Sequence, residues 1–487
     1  MTKGSCLGDF LRDRGFGDMV CGGHGKCGKC RVFCAGRLSP PDEAEKRLIG
    51  DGLSKGVRLA CRAFVEGDCT VRTEEAGGAV IKTDGDLPDF ELAPMFSKFG
   101  AAVDVGTTTV ALRLYDNRGR LLSEQTALNP QRAYGVDVVS RMEACLKGEA
   151  KGLAAAIRGC IDGLAAEAAK KAGIGTGDID AAVITGNTVM LSLLTETDTE
   201  PLTHAPFEAA RLFGELLTAE DLGLEAFPGD AAVYLPRCIS AFLGADTVTA
   251  LLASEAVRRG GISVMTDIGT NGETVLVKND GILACSTAAG PAFEGAGISM
   301  GMGGSEGAVD KVSVDEAGNI VAHVIGEAAP KGICGSGIVD AVRVLVDLEL
   351  VDETGFMEDD PAEICGPVVI TQKDVRAVQL AKSSICAGIR TLLDTAKIPS
   401  DKVGTLYVAG GFGSYLDVAN AARIGLIPGE LEQKVKVLGN AALAGASAML
   451  LSRPLVDEAA ELAAGIEVVG LASNPVFAEE YMNGMYF

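Results

Sequence analysis

Four cysteines, Cys21, Cys27, Cys30 and Cys61, form a Cys-x5-Cys-x2-Cys run followed by a distant fourth thiol. A [2Fe–2S] cluster needs this arrangement, three thiolates from one wrapping loop and a fourth from a returning segment. The loop CGGHGKCGKC holds four glycines in ten residues, so its backbone amides can close on the sulfurs. Plant-type ferredoxins place four residues between the first pair where this chain has five, an insertion that a glycine loop absorbs. Zinc is the competing occupant of four thiols, although glycine loops of this length are less usual around it. His24 alone cannot supply the two imidazoles of a Rieske-type centre and is expected to face solvent. Cys61 is expected on a returning strand, with Cys34 and Cys69 as reserve ligands.

A second chemistry begins at residue 104. Asp104-Val-Gly106-Thr107-Thr108-Thr109 follows an apolar strand directly, and Asp267-Ile-Gly269-Thr270-Asn271-Gly272 repeats the arrangement later in the chain. Such a turn offers backbone N–H groups and hydroxyls to a phosphate, while the carboxylate can hold a hydrated Mg²⁺. A third turn, Val408-Ala-Gly410-Gly411-Phe-Gly413, also follows a strand and suits close approach to a nucleoside. Each turn alone is a weak signal; the three in this order are strong together. No Gly-x4-Gly-Lys-[Ser/Thr] P-loop occurs, and no Gly-x-Gly-x-x-Gly dinucleotide fingerprint follows a strand. The glycine-rich stretches 289–297 and 331–337 are expected to line the cleft or to serve close helix–strand packing.

These residues need elements to position them. Leu7, Phe10 and Leu11 share one helical face ahead of the cysteine loop, RVFCAG at 31–36 reads as a strand, and a charged helix follows Pro40-Pro41. The segments VRLACRAF and CTVRTE read as further short strands around Cys61. Residues 74–99 show no sustained period and read as a linker, with LPDFELAPMF pinned to a domain surface. Strand-turn-strand grammar at 101–115 returns at 262–278, which predicts an internal duplication and two lobes facing a cleft. The expected organisation is a small α+β ferredoxin-like domain (1–73), a linker (74–99), one α/β lobe (100–260) and a second (261–487) whose C-terminal helices return to the cleft.

The 487-residue length suits several domains, and 47% hydrophobic with 22% charged residues reads as globular. The net charge of −23 argues against nucleic acid as a partner. It is uneven: residues 1–71 carry +3 and the remainder −26. Seven of the 14 cysteines fall before residue 72, a clustering that favours metal ligation in a reducing compartment over disulfides. No apolar run reaches the ~20 residues of a bilayer-spanning helix, and the N-terminus lacks a signal-peptide core. A soluble cytoplasmic protein is expected.

The three nucleotide turns resemble those of the ASKHA superfamily of ATPases (acetate and sugar kinases, Hsp70, actin). Together with the cysteine loop, the motifs VDVGTTTVALRLYD, ITGNTVM, TDIGTNGE, GPAFEGA, ICGSGIVD and VAGGFG make the whole chain similar to the reductive activators of corrinoid-dependent methyltransferases. That resemblance implies ATP-driven one-electron reduction of a partner's Co(II) corrinoid to Co(I), with a [2Fe–2S] relay reduced by an external low-potential donor. It also implies Asp104 and Asp267 at Mg²⁺ and water, and a homodimer built through the C-terminal part. Only about 20 residues precede Cys21, and they read as helix where the family opens with a β-hairpin, so a trimmed ferredoxin module is expected. Three other readings remain open: an activator of another low-potential enzyme, such as a 2-hydroxyacyl-CoA dehydratase; a small-molecule kinase with a structural zinc; and a redox-sensing binding protein.

Overall fold

The computed structural model describes residues 4–12, 23–25, 28, 30–72, 87–411 and 415–487. The chain divides into two compact units, Met1–Gly78 with Asn129–Ile157, and Ala79–Leu128 with Arg158–Phe487.

In the first unit, strands β1 (Arg31–Leu38), β2 (Val57–Leu59) and β3 (Val65–Arg72) form an antiparallel sheet in the order β2-β1-β3. Leu7 and Leu11 of the short helix Leu7–Arg12 join Val32, Leu59 and Ala63 in a small core that also buries Cys30 and Cys61. The helix Glu43–Ile49 starts on a capping box in which Asp42 and Glu45 exchange hydrogen bonds, and ends at Gly50.

The second unit is built around two six-stranded sheets of matching plan. One contains β4 (Phe99–Val105), β5 (Thr109–Asp116), β6 (Leu121–Leu128), β7 (Ile179–Gly186), β8 (Glu215–Thr218) and β9 (Ala232–Leu235), in the order β6-β5-β4-β7-β9-β8. The other contains β10 (Ser263–Ile268), β11 (Gly272–Lys278), β12 (Gly281–Thr287) and, beyond three intervening short strands and a hairpin, Thr405–Ala409, Val435–Gly439 and Ile466–Val468. In both, an antiparallel β-meander supplies the first three strands, and the first of these pairs in parallel with a later crossover strand. The predicted duplication is present. The two copies differ at the edges, where β8 flanks β9 in one sheet and Ile466–Val468 flanks β12 in the other.

Strands β4 and β7 are almost wholly buried, as their near-continuous apolar runs require of parallel pairs covered on both faces. Their cover includes the helix Ala441–Leu451, whose Leu443, Ala446, Met449 and Leu450 share a core with Ala102, Ala111 and Val183. The helix Ala441–Leu451, late in the chain, thus covers the first sheet. The segment 87–98 runs along this surface: Ala93 donates its N–H to Leu451 O, and Arg453 donates to Ala93 O. The remainder of the expected linker up to residue 86 lies outside the described residues.

The helix Ala441–Leu451 also crosses the helix Ala245–Ser254, at Gly445. A Cβ built there would lie 1.9 Å from the Thr249 carbonyl oxygen, so the two backbones meet where only glycine fits. Gly445→Ala is therefore expected to destabilise the protein by about 1–3 kcal/mol through overpacking, measured as a lowered urea midpoint.

Candidate functional site

Each phosphate-type turn is the tip of the first hairpin of its sheet. Gly106, Thr107 and Thr108 connect β4 to β5, and Thr109 starts β5; Gly269, Thr270 and Asn271 connect β10 to β11, and Gly272 starts β11. The first turn is tight: a Cβ on Gly106 would lie 2.8 Å from Thr109 O. The Thr107 hydroxyl accepts from Asn187 Nδ2 at 3.2 Å, and Asn187 caps the following helix Thr188–Leu194. In the second turn Gly269 donates to Asn271 O at 3.2 Å. Gly272 is packed differently, with its α-carbon against Thr287 and Ile385. Gly410, at φ +106°, brings the third turn against Ile268 O and the Asp267 carboxylate, whereas the space over Gly411 is open. Gly413 lies outside the described residues.

The cleft floor is acidic. Asp104 accepts a hydrogen bond from Asn440 Nδ2 at 3.0 Å, a residue 336 positions away that caps the helix Ala441–Leu451. Asp267 stands directly across the β10–β11 ladder from Glu273. Asp246, at the start of the helix Ala245–Ser254, joins them and accepts from Thr247 N at 2.8 Å. Asp104, Asp246 and Asp267 are each half-buried. Burial pushes Asp104 up to about 6. Burial, then the charges of Asp104 and Asp267, pushes Asp246 up to about 8. Burial, then Asp104 and Glu294, pushes Asp267 up to about 7. Glu273 is held well above the usual carboxylate range by burial and by Asp246 and Asp267.

Asp246, Glu273 and Asn440 were not singled out from the sequence. Asp246 follows FLGA with no turn motif, Glu273 reads as an ordinary strand residue, and Asn440 becomes relevant only through the fold. Glu294, from the stretch 289–297, does reach the site: it accepts the Thr108 hydroxyl through one carboxylate oxygen and the Thr270 hydroxyl, at 3.0 Å, through the other. The stretch 331–337 is instead taken up by packing, with Gly332 against Met300 O and Gly337 against Val309 O.

In the first unit, the Cys30 and Cys61 sulfurs lie 3.2 Å apart and both residues are buried. The hydrogen bond between them lowers the Cys30 thiol to about 7, against the opposing effect of burial. Cys61 lies on the single 3₁₀ turn Ala60–Arg62 just after β2, not on a strand; the chain must turn there to bring the thiol back toward Cys30. Cys21 and Cys27 lie outside the described residues. The described part of the loop closes on this pair, since Gly23 faces the Cys61 Cβ and Gly25 lies over the Arg62 side chain, both at positive φ. His24 is exposed, as expected. Cys34 is pushed up to about 11, chiefly by burial.

Each of the two buried cysteines is followed by an arginine that ties the loop down. Arg31 donates to Gly28 O at 3.1 Å and to Leu48 O at 2.9 Å; Arg62 pairs with Asp42 at 2.7 Å. Glu45, fully buried, accepts two hydrogen bonds from Arg58 at 2.8 Å and one from Leu59 N at 3.0 Å. The helix Glu43–Ile49 thus anchors both ends of the segment bearing Cys61. Among the described residues, no three of His, Cys, Asp or Glu converge tightly enough to enclose a bare ion.

Matched β-meanders, two acid-Gly-Thr turns and a carboxylate floor between them define an ASKHA-type α/β fold. Comparison with known proteins narrows this. Residues 261–487 match the model for the C-terminal domain of RACo, the ASKHA domain, and residues 99–259 match the RACo middle region. The chain is 36% identical over 420 residues to the corrinoid activation enzyme RamQ of Eubacterium limosum, covering 80% of this chain and 70% of that protein. It is 27% identical over 336 residues to the [Co(II) methylated amine-specific corrinoid protein] reductase of Methanosarcina barkeri, covering 62% of each. A solved reductive activator for corrinoid,iron-sulfur protein superposes with TM-score 0.76 at 26% identity, over 100% of this chain and 96% of that one. The chain belongs to the RACo family of corrinoid reductive activators.

Two predictions follow from the charges. Folded-state values of about 6 to about 8 lie above the ~4 of an unfolded aspartate. The native state thus holds protons that the unfolded state has released, and this stabilisation is full below pH ~4 and lost as pH rises to about 8. Asp246→Asn should raise Tm over wild type at pH 8 and change it little at pH 4, measured by calorimetry without metal or nucleotide. Glu45→Ala leaves Arg58 a buried unpaired cation and should cost the first unit about 3–5 kcal/mol. Faster thiol labelling of Cys30 and Cys61 in the full chain checks it.

Proposed function

We propose that this protein reductively activates a corrinoid protein, delivering one electron to Co(II) to give Co(I), with ATP binding and hydrolysis coupled to the transfer. The observation that carries the reading is the pairing, on one chain, of two acid-Gly-Thr turns over a carboxylate floor with a glycine loop closed on a buried thiol pair. Family membership supports the corrinoid client. No helix among the described residues is long and apolar enough to cross a membrane, and the reading places the reaction in the cytoplasm.

A [2Fe–2S] cluster held by Cys21, Cys27, Cys30 and Cys61 would supply one-electron storage near the roughly −400 mV of plant-type centres. The buried pair, the lowered Cys30 thiol and Gly23 set against Cys61 fit such a group. Asp104 and Asp267 would hold hydrated Mg²⁺ and orient water. Gly106, Thr107, Thr108 and Thr109 on one side, with Gly269, Thr270, Asn271 and Gly272 on the other, would form the two phosphate turns. Gly410 and Gly411 would meet the nucleoside. The electron leaves an external low-potential donor and ends on cobalt, so this chain is unchanged over the cycle. ATP does its work through different affinities for two lobe arrangements and thereby for the corrinoid partner. A second copy of the chain, joined through the C-terminal part, completes the assembly.

The test is anaerobic mixing of reduced protein with Co(II) corrinoid proteins, following Co(I) absorbance with and without ATP. Co(I) should form with ATP only, and no ATP-dependent change with any corrinoid protein would overturn the reading. Cys27→Ala should abolish Co(I) formation while ATP hydrolysis persists.

A further inference from the structure

Among the described residues, Glu294 is the one carboxylate hydrogen-bonded to both phosphate turns. Its two oxygens accept from Thr108 of the β4–β5 turn and from Thr270 of the β10–β11 turn. Those hydroxyls are the donors that a bound phosphate would require. The carboxylate lies over the second turn, with its Oε1 3.3 Å from where a Cβ on Gly269 would stand. It is presented by a single 3₁₀ turn, Ala292–Glu294, and the preceding Gly290 is tied to Thr270 O at 2.8 Å. A carboxylate with both oxygens in use, spanning two loops, takes up two hydroxyl donors of the kind a phosphoryl group binds.

Two anions cannot share these hydroxyls beside Asp104, Asp246, Asp267 and Glu273, because like charges repel more strongly where burial lowers the effective dielectric. We propose that Glu294 is a latch: it holds the two phosphate turns together in the absence of nucleotide, and the terminal phosphate of a nucleoside triphosphate displaces it. This rests on the ATP reading of the cleft and deepens it. The diphosphate lacks the displacing group, so it leaves the latch closed. The step is an exchange of hydrogen-bond acceptors on Thr108 and Thr270, with no covalent bond made or broken. It supplies a physical difference between the two nucleotide states at the point where the two sheets' turns meet.

The test compares wild type, Glu294→Ala and Glu294→Gln, using calorimetric binding of a non-hydrolysable ATP analogue and of ADP with Mg²⁺. Amide hydrogen exchange at residues 106–109 and 269–272 is measured alongside. In Glu294→Ala, the analogue should bind roughly tenfold more tightly, since charged hydrogen bonds no longer compete, while ADP affinity stays unchanged. The two turns should exchange faster without nucleotide, with Glu294→Gln intermediate. Equal tightening of both nucleotides with unchanged exchange would make Glu294 a merely repelling charge and overturn the latch. Unchanged binding of both nucleotides, with ATP hydrolysis lost in a parallel phosphate-release assay, would make it a catalytic base and overturn it equally. Wild-type analogue binding with no exchange difference in the variant sinks the latch and leaves the ATP reading standing. No binding by any of the three chains sinks the ATP reading together with the displacement.

Discussion

Asp104, Asp246, Asp267 and Glu273 share the floor of one cleft, and among the described residues none of them forms an ion pair with a basic side chain. Like charges brought together in a poorly solvated place either take up protons or wait for a cation. The raised values of these groups express the first outcome, and on the proposed function a magnesium nucleotide would supply the second. Much of the surrounding architecture serves this gathering. Two hairpins present Asp104 and Asp267, a helix N-terminus presents Asp246, and a C-terminal helix returns to place Asn440 on Asp104. That helix packs closely on the one that carries Asp246, backbone against backbone at Gly445 and Thr249.

The first unit solves a different problem with the same economy. Two thiols must stay buried and close without forming a disulfide, and the glycine-bearing segment beside them must be held in place. Arg31 and Arg62, each adjacent to a buried cysteine, tie the loop to the helix Glu43–Ile49, and the buried Glu45–Arg58 pair seats that helix on β2. Here buried charge confers position more than stability, since such pairs are costly to desolvate.

What was legible in the sequence follows from how local the signal is. The acid-Gly-Thr turns at 104–109 and 267–272 announce themselves because strand, carboxylate and turn are contiguous, and the repeat of that grammar disclosed the duplicated fold. Glu294 was visible only as part of a glycine-rich stretch. Asp246 and Asn440 were illegible, because their role arises only when separate segments of the chain meet, 336 positions apart for Asn440 and Asp104. Cys61 was assigned to the set by spacing alone, but its 3₁₀ turn was hidden within a segment of strand-like composition, where the need to redirect the thiol outweighs local β-propensity.

The account joins these two chemistries through ATP, so its central claim concerns electrons counted against nucleotide. The most direct measurement is an anaerobic single-turnover experiment in which the stoichiometrically reduced protein meets a Co(II) corrinoid partner, first without ATP and then with it. The account predicts that electrons stay on the protein until ATP is added, after which one Co(I) appears for each electron the protein loses. Transfer that proceeds fully before ATP is added, or Co(I) formed while the protein keeps its electrons, would contradict it.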